Sequence, residues 1–172
     1  MELMQAMMTR RSIRRYTDEK IPEEKLTRVL QAALLAPTSR DFRPCEFYVV
    51  EDRETLTALA GAKQAGAEML KGAGAAIVVL ADAVKSDTWI EDSSIALTYM
   101  HLAAADQGLG SCWIQIHLRK DEEGGCAEAN VRRILGAEDK YRVVGILSLG
   151  VPAEERPALR LEDLDLGQVH RG

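Results

Sequence analysis

Apolar residues recur along much of the chain at the spacing of three and four positions that is typical of amphipathic helices. The clearest case lies between Pro22 and Pro37, where a first turn with two glutamates precedes a regular apolar stripe. The same reasoning predicts a short helix near the N-terminus, one after Asp52, a weaker one over 64–71 and one that ends at Gly136.

Four short apolar runs predict β-strands instead, at residues 46–51, 75–81, 111–116 and 141–149. Because these runs alternate with helical stretches, the chain is predicted to fold as an α+β or α/β sandwich around a mixed sheet. The sequence lacks the glycine fingerprints of dinucleotide-binding folds and P-loops. Neither of those phosphate-binding turns is therefore expected.

The predicted helix from Thr88 to Gly108 differs from the others because its apolar residues surround the axis. Thr88 and Glu91 have the spacing of a capping box at its start, and the Gly-Leu-Gly at 108–110 is expected to end it. A helix that is apolar on every side must be covered on every side. The pattern allows two explanations. Either the sheet and a second subunit together bury the helix, or a single monomer buries it at its centre.

Composition fits one globular domain. The chain has 172 residues, a mass of 19.0 kDa and a formal net charge of −5, with 47% hydrophobic and 28% charged residues. No repeat or linker divides it, so residues 1–172 are expected to form a single domain. No signal peptide is apparent, and the longest apolar run, 95–105, is too short to span a bilayer. The acidic balance argues against general binding to nucleic acid or anionic membranes.

Candidate chemistry from cysteine and histidine is sparse. The three cysteines are an odd number without a close pair, which favours a reduced, cytoplasmic protein without disulfides. The histidines stand singly and no metal-ligand spacing occurs, so no metal site is expected. No Ser/His/Asp or Cys/His arrangement points to a nucleophilic side chain.

Four arginines between Arg10 and Arg15 form the sharpest charge cluster. Guanidinium groups donate forked hydrogen bonds that suit phosphate, and Ser12 adds a hydroxyl. The residues alone also allow a solvated surface, a nucleic-acid arm or a set of partners for the many carboxylates. Aromatic residues make up only 5% of the chain and no nucleic-acid-binding motif occurs, so nucleic acid is the weakest of these interpretations.

A second polar segment, residues 36–44, is bracketed by Pro37 and Pro44 between a predicted helix and a predicted strand. The prolines make its backbone extended and semi-rigid. Such a loop can offer N–H, C=O and hydroxyl groups to a flat polar ligand, although its position alone favours an ordinary connection.

Taken in order, these segments resemble the FMN-dependent nitroreductase family, in particular its short members. Residues 10–16 (RRSIRRY) look like the family's Arg-x-Ser-x-Arg-x-Phe/Tyr motif, and 36–39 (APTS) look like its Ala-Pro-Ser-Ser loop, with Pro44 at the proline that follows. The central block is matched by Asp92-Ser93-Ser94 and then by 108–114 (GLGSCWI), and 150–155 (GVPAEE) resemble the Gly-Tyr-Pro-x-Glu near the end. Four motifs in register cover nearly the whole chain.

The resemblance implies an α+β nitroreductase-like fold, with a central mixed, mainly antiparallel sheet flanked by helices. It also implies an intertwined homodimer with one FMN at each of two interfacial sites. The implied activity takes hydride from NADH or NADPH on flavin N5 and passes electrons by a ping-pong mechanism to small-molecule acceptors such as nitroaromatics or quinones. No catalytic side chain is implied, because the hydride chemistry belongs to the flavin.

Site residues follow from the resemblance position by position. Arg10 and Ser12 are expected to hold the phosphate and ribityl chain, with Arg11 nearby. Arg14 is expected near N1 and O2 of the isoalloxazine, where a cation stabilises the charge of the reduced ring. The other residues assigned to the cofactor are Pro37, Thr38 and Ser39 from the second subunit, the backbone of Gln115 and Ile116 facing N5, and Arg160 at the phosphate, with Arg156 as second choice.

Three residues depart from the family's usual pattern around the 36–44 loop. Asp41 stands where Asn is common, and its carboxylate can accept the flavin N3–H but opposes reduction of the ring. Arg43 stands where Gln is usual and could neutralise Asp41. Cys45 replaces a common Trp and is interpreted as a small packing residue. These departures keep open a second hypothesis, a flavin-binding store or sensor with slow or no turnover.

Overall fold

A computed structural model describes residues 2–172, which form five α-helices and four β-strands. The helices are α1 (Leu3–Thr9), α2 (Glu23–Leu35), α3 (Arg53–Ala60), α4 (Trp89–Asp106) and α5 (Ala127–Leu135). The strands are β1 (Cys45–Val50), β2 (Ala75–Asp82), β3 (Gly110–Gln115) and β4 (Tyr141–Gly150). Each predicted strand is confirmed to within one residue at either end. The weak helix predicted over 64–71 is wrong in type, since the chain forms only a 3₁₀ turn at Glu68–Gly72.

The strands form one antiparallel sheet in the order β1-β2-β4-β3. The expected parallel pairing is limited to a single bridge, in which Ser12, outside the four strands, pairs with Ser111 of β3. β2 lies inside the sheet with helices on both faces, so its side chains alternate between two cores. Val78 and Leu80 point into one core, and Ile77 and Val79 into the other. This double burial explains why β2 reads as a continuous apolar run.

Two helical layers cover the two faces of the sheet. On one face α3 and α5 supply Leu56, Leu59 and Val131 to the core. On the other face α2 and α4 supply their own apolar side chains, including Val29 and Leu97. The α+β fold predicted from the alternation of helices and strands is confirmed.

Within one chain, α4 is covered on only part of its circumference. Leu97 and Met100 are fully buried, whereas Ile90 remains 38% and Tyr99 40% exposed. The capping box predicted at its start is wrong, because Thr88 caps no backbone N–H and lacks the extended backbone of a capping residue. Its hydroxyl donates instead to the buried carboxylate of Asp92.

After β4 the chain leaves the sheet and runs back along the N-terminal segment. The N–H of Thr17 donates to Val151 O at 2.9 Å, and the N–H of Leu159 donates to Met8 O at 2.9 Å. Residues 155–172 are all exposed, and they carry several large apolar side chains. No helix within residues 2–172 is long and apolar enough to cross a membrane.

Candidate functional site

The arginine segment, residues 10–16, lies extended along the outer edge of β3. The N–H of Ile13 donates to Ser111 O at 3.0 Å, and Tyr16 forms a bridge with Pro152. The Tyr16 ring occupies the space that a side chain at Gly150 would need, because a Cβ built there would lie 2.6 Å from the ring. The sheet edge therefore fixes the arginine segment through backbone pairing and one close ring contact.

Side chains of an extended segment alternate between two sides, and this alternation sorts the arginines. Arg10, Ser12 and Arg14 all lie close to the thiol of Cys112. Burial raises the pKa of that thiol, while the three of them act to lower it. Arg11 instead donates to the backbone carbonyl of Pro157. Three of the predicted cofactor residues thus share one surface, and Arg11 fastens the C-terminal segment.

A cavity of about 310 Å³ opens beside this segment, at the C-terminal end of α4. Arg10, Arg11 and Arg156 line it together with Ser111. Glu154 and Glu155 also line it, and one carboxylate oxygen of Glu154 accepts the N–H of Arg14 at 2.7 Å. The cavity, which we call the arginine cavity, therefore combines three guanidinium groups with two carboxylates.

The two candidates for a late phosphate ligand are placed differently. Arg160, the first choice from the sequence, is exposed and donates to Asp163 through two nitrogens at 2.9 and 2.7 Å. Arg156, the second choice, lines the arginine cavity and lies 3.9 Å from Glu154. The structure thus brings Arg156, but not Arg160, to Arg10.

The end of β3 presents its backbone to an open sheet edge. The N–H of Ile116 is used within the sheet, donating to Val144 O at 3.0 Å. Alternate residues of a strand direct their N–H and C=O groups to the same side. The carbonyl of Ser111 faces outward to Ile13, so the N–H and C=O of Gln115, four residues later, also face away from β4. Of the predicted pair, Gln115 rather than Ile116 offers a backbone N–H to a ligand.

Lys63 is a site residue that the sequence did not reveal. Its ammonium group donates to the carbonyl of Gln115 at 3.1 Å and is only partly exposed. Burial, followed by the charge of Arg119, lowers its pKa. Lys63 lies in a glycine-rich stretch without a motif, so only the fold shows that a cation stands beside the end of β3.

The 36–44 loop carries the other predicted site residues, and its backbone is unusual. Arg40, Asp41 and Arg43 all have positive φ, at 51°, 55° and 46°. Thr38 closes the loop by accepting the N–H of Arg43 at 3.1 Å. Asp41 and Arg43 form an ion pair at 2.7 Å, as expected for a cation that neutralises this carboxylate. Pro37 and Ser39 lie on the same loop, so its predicted residues are together.

Within one chain, however, the loop and the arginine cavity lie at opposite ends of α4. The N–H of Ser39 donates to Asp92 in the first turn of α4 at 2.9 Å, whereas Ala105 in its last turn lines the arginine cavity. At 1.5 Å per residue these two positions on the helix are about 20 Å apart. The predicted cofactor residues therefore form two groups that a single chain holds apart.

Cys45, Cys112 and Cys126 are free thiols, and burial raises the pKa of Cys45. Within residues 2–172, no group of three or more histidine, cysteine, aspartate or glutamate side chains is arranged to hold a metal ion.

Comparison with known proteins identifies the family. The sequence profile of the nitroreductase family matches residues 7–68 and 59–151. The chain belongs to the nitroreductase family. A solved FMN-dependent nitroreductase from Clostridium difficile R20291 is 44% identical, with a TM-score of 0.95 over 98% of both chains.

Other nitroreductase-family members extend the comparison. A protein of Archaeoglobus fulgidus, provisionally named NADH dehydrogenase/NAD(P)H nitroreductase, is 36% identical over 175 residues, covering 99% of this chain and 97% of its own. A nitroreductase from Bacteroides fragilis, solved with bound FMN, is 24% identical with a TM-score of 0.78 over 100% of this chain and 99% of its own. This last likeness concerns the nitroreductase fold alone.

Proposed function

We propose that this member of the nitroreductase family is an FMN-dependent oxidoreductase that uses NADH or NADPH to reduce nitroaromatic, quinone or similar acceptors by a ping-pong mechanism. The observation that carries the proposal is the arginine cavity, where Arg10 and Arg156 come together beside the edge of β3. The same edge presents the backbone of Gln115. The names of the relatives from Clostridium difficile and Archaeoglobus fulgidus support FMN and NAD(P)H respectively.

The residues fit the polar groups of FMN. A phosphate monoester needs several strong donors in one place, and Arg10 and Arg156 line one cavity. The hydroxyl of Ser12, two residues after Arg10 on the same extended segment, would be a further donor. Arg14 follows Ser12 on the same side of the extended segment and would bring a positive charge to the pyrimidine edge of the ring. The N–H of Gln115 would donate towards N5. The chemistry supplied by the cofactor when bound is hydride acceptance at N5 and delivery of the electron pair to the acceptor.

The tasks left to the protein are binding, orientation and electrostatics. The sheet edge fixes the backbone around Ser12, so the donors are oriented before the ligand arrives. Positive charge at Arg14 and Lys63 would stabilise the added negative charge of the reduced ring. Neither task requires a side-chain nucleophile.

We further propose that the functional unit is an intertwined homodimer in which the 36–44 loop of one subunit contacts the FMN held by the arginine cavity of the other. The separation of about 20 Å along α4 supports this arrangement, because it sets the loop of one chain far from the arginine cavity of the same chain. An apolar groove of about 570 Å³ lies between α1, α2 and α4. Leu3, Met7 and Tyr99 line it and are 64%, 44% and 40% exposed, which suits a subunit interface.

The decisive test is an absorption spectrum of the purified protein, followed by anaerobic addition of NADH or NADPH. Bound FMN that bleaches rapidly, and recovers when a nitroaromatic or quinone is added, is the expected result. A protein that stays colourless and takes up no FMN would contradict the proposal. Bound flavin that remains yellow would instead support the store or sensor, which the altered residues Asp41, Arg43 and Cys45 keep as the second candidate.

The location that we propose is the cytoplasm. It is supported by the free state of Cys45, Cys112 and Cys126 in the structure, because unpaired thiols persist where the surroundings are reducing.

A further inference from the structure

Asp92 is a buried carboxylate that joins α4 to two neighbouring loops. It is 2% exposed. One oxygen, Oδ1, accepts the backbone N–H of Ser39 at 2.9 Å. The other, Oδ2, accepts the hydroxyls of Ser86 at 3.0 Å and Thr88 at 3.3 Å. The two oxygens therefore have separate tasks, with Oδ1 directed at the 36–44 loop and Oδ2 at the turn before α4.

The 36–44 loop, which Asp92 contacts, has a strained backbone that the surrounding structure must stabilise. Three of its residues, Arg40, Asp41 and Arg43, occupy the left-handed region that residues other than glycine avoid. Such conformations persist when the surrounding structure fixes them, and they cluster where a rigid shape serves binding.

Two contacts hold the far end of the loop. The ammonium group of Lys85 donates to the carbonyl of Arg43 at 3.0 Å, and the N–H of Asp82 donates to Pro44 O at 3.0 Å. At the near end, the bond from Ser39 to Asp92 is partly buried and its acceptor carboxylate is buried, so water competes for it less than at the surface. The loop is thus fastened at both ends, and the end that precedes Arg40 depends on Asp92.

We propose that Asp92 is a positioning residue, which through the N–H of Ser39 holds the 36–44 loop in the conformation that contacts FMN. The inference rests on the proposed contact between this loop and the cofactor of the other subunit. An acidic residue in the first turn also stabilises a helix through its dipole, but that role does not involve Ser39. The two roles therefore separate in experiment.

The test compares variants at both ends of the bond. Asp92→Ala removes the acceptor, whereas Asp92→Asn keeps an oxygen for the Ser39 N–H and an amide that donates to Ser86 or Thr88. Ser39→Pro removes the donor at the first position of a turn, where proline is tolerated, and the preceding Thr38 has the extended backbone that proline requires. Ser39→Ala is its matched control, because it loses the hydroxyl and keeps the N–H.

Three readouts are taken on FMN-loaded protein: deuterium uptake of the peptide that spans 36–44, FMN release on serial dilution followed by flavin fluorescence, and the visible spectrum of the bound flavin. Asp92→Ala should speed uptake in that peptide, raise the FMN dissociation constant about tenfold and shift the spectrum. Asp92→Asn should stay within about twofold of the parent protein. Both Ser39 variants lose the hydroxyl, so they are compared with each other, and Ser39→Pro should bind FMN about tenfold more weakly than Ser39→Ala.

The outcomes separate the two proposals. A parent protein that binds no FMN would overturn the proposed function itself. If the parent binds FMN, equal affinities and spectra for Ser39→Pro and Ser39→Ala would overturn the role of Asp92. So would an Asp92→Asn protein as weak as Asp92→Ala, since a neutral acceptor preserves the bond. Should Asp92→Ala fail to fold, the comparison of the two Ser39 variants decides.

Discussion

Asp41 and Arg43 show how two adjacent departures from a family pattern act together. The carboxylate places negative charge in a loop where the family commonly has an amide, and the guanidinium lies 2.7 Å from it. Both side chains are largely exposed, so water screens each of them and the pair is weak. The net electrostatic effect on a bound flavin is then the small difference between the opposing effects of the two charges.

Changing either member should move the flavin potential, in opposite directions. Asp41→Asn removes a negative charge, so we expect the midpoint potential to rise by on the order of 20 mV, equivalent to about 1 kcal/mol for a two-electron couple. Arg43→Gln leaves Asp41 without its counter-charge and should lower the potential by a similar amount. Spectroelectrochemical titration of the bound flavin measures both, and shifts of the same sign would contradict the electrostatic explanation.

His101 offers a prediction about pH. Its ring nitrogen Nδ1 lies 2.8 Å from the hydroxyl of Ser111. Burial, aided by the charge of Arg10, lowers the pKa of His101 to about 4. The unfolded chain, where histidine titrates near about 6.5, then binds the proton more readily than the folded chain. The stability contribution is therefore complete above that value and is lost as the pH falls towards 4.

We expect the parent protein to lose about 2 kcal/mol of unfolding free energy between pH 7 and pH 5 through this one group. His101→Gln keeps a hydrogen-bonding group near Ser111 but does not titrate, so its stability should fall less over the same interval. Urea unfolding at the two pH values gives the comparison. Parallel losses in both proteins would show that His101 is not the titrating group.

Whole elements were predictable where burial imposes a period. The four strands and α2 follow directly from the apolar pattern, because each face of the sheet meets its own helical layer. The details around α4 were not predictable in this way. The bond between Ser39 and Asp92 joins residues 53 positions apart, and neither arginine nor aspartate signals the positive φ found at 40, 41 and 43. Those features depend on tertiary contacts that a local pattern does not contain.

α5 is anchored to the sheet by an ionic cluster. Glu128 accepts from Arg142 at 2.9 and 3.0 Å, from the N–H of Val143 at 3.0 Å, and lies 2.8 Å from His117. Burial alone would raise the pKa of Glu128, but these hydrogen bonds outweigh it and lower the pKa to about 2. The contribution of Glu128 to stability is therefore present above its unfolded pKa of about 4.3 and is lost as the pH falls towards 2.

Glu128→Gln should destabilise the protein at pH 7 by about 2 kcal/mol or more, because Arg142 loses its partner. Between pH 6 and pH 3 the difference between parent and variant should shrink by about 2 kcal/mol, since only the parent loses the carboxylate. Chemical unfolding at both pH values measures the two differences. A constant gap would contradict the assignment of the low pKa to this cluster.

At the scale of the whole molecule, the two groups of site residues lie at opposite ends of α4, with an exposed apolar face along α1 and α4 between them. The sequence left open whether the all-round apolar pattern of α4 is covered by one chain or by two. The exposure of Ile90 and Tyr99 in one chain supports a second copy as the cover. In the proposed dimer, cofactor binding would depend on dimerisation.

A charge on this apolar face should therefore weaken both dimerisation and FMN binding. Tyr99→Asp is expected to raise the dimer dissociation constant by about 100-fold and to release FMN in parallel, because the carboxylate would be buried without a partner. Tyr99→Phe keeps the apolar ring and serves as the control. Sedimentation velocity with detection at the flavin wavelength follows both quantities, and a monomeric Tyr99→Asp protein that retains its flavin would refute the shared site.

The pairing of the N-terminal and C-terminal segments has a consequence for the order of events during synthesis. Arg11 and Arg14 leave the ribosome well before their partners Pro157 and Glu154, which follow 146 and 140 positions later. Until then the arginine cluster is without these partners, and the sheet edge beside it is incomplete until β4 has emerged. We therefore expect flavin to bind only after residues 151–157 have emerged, and a nascent chain stalled before Val151 should carry no flavin.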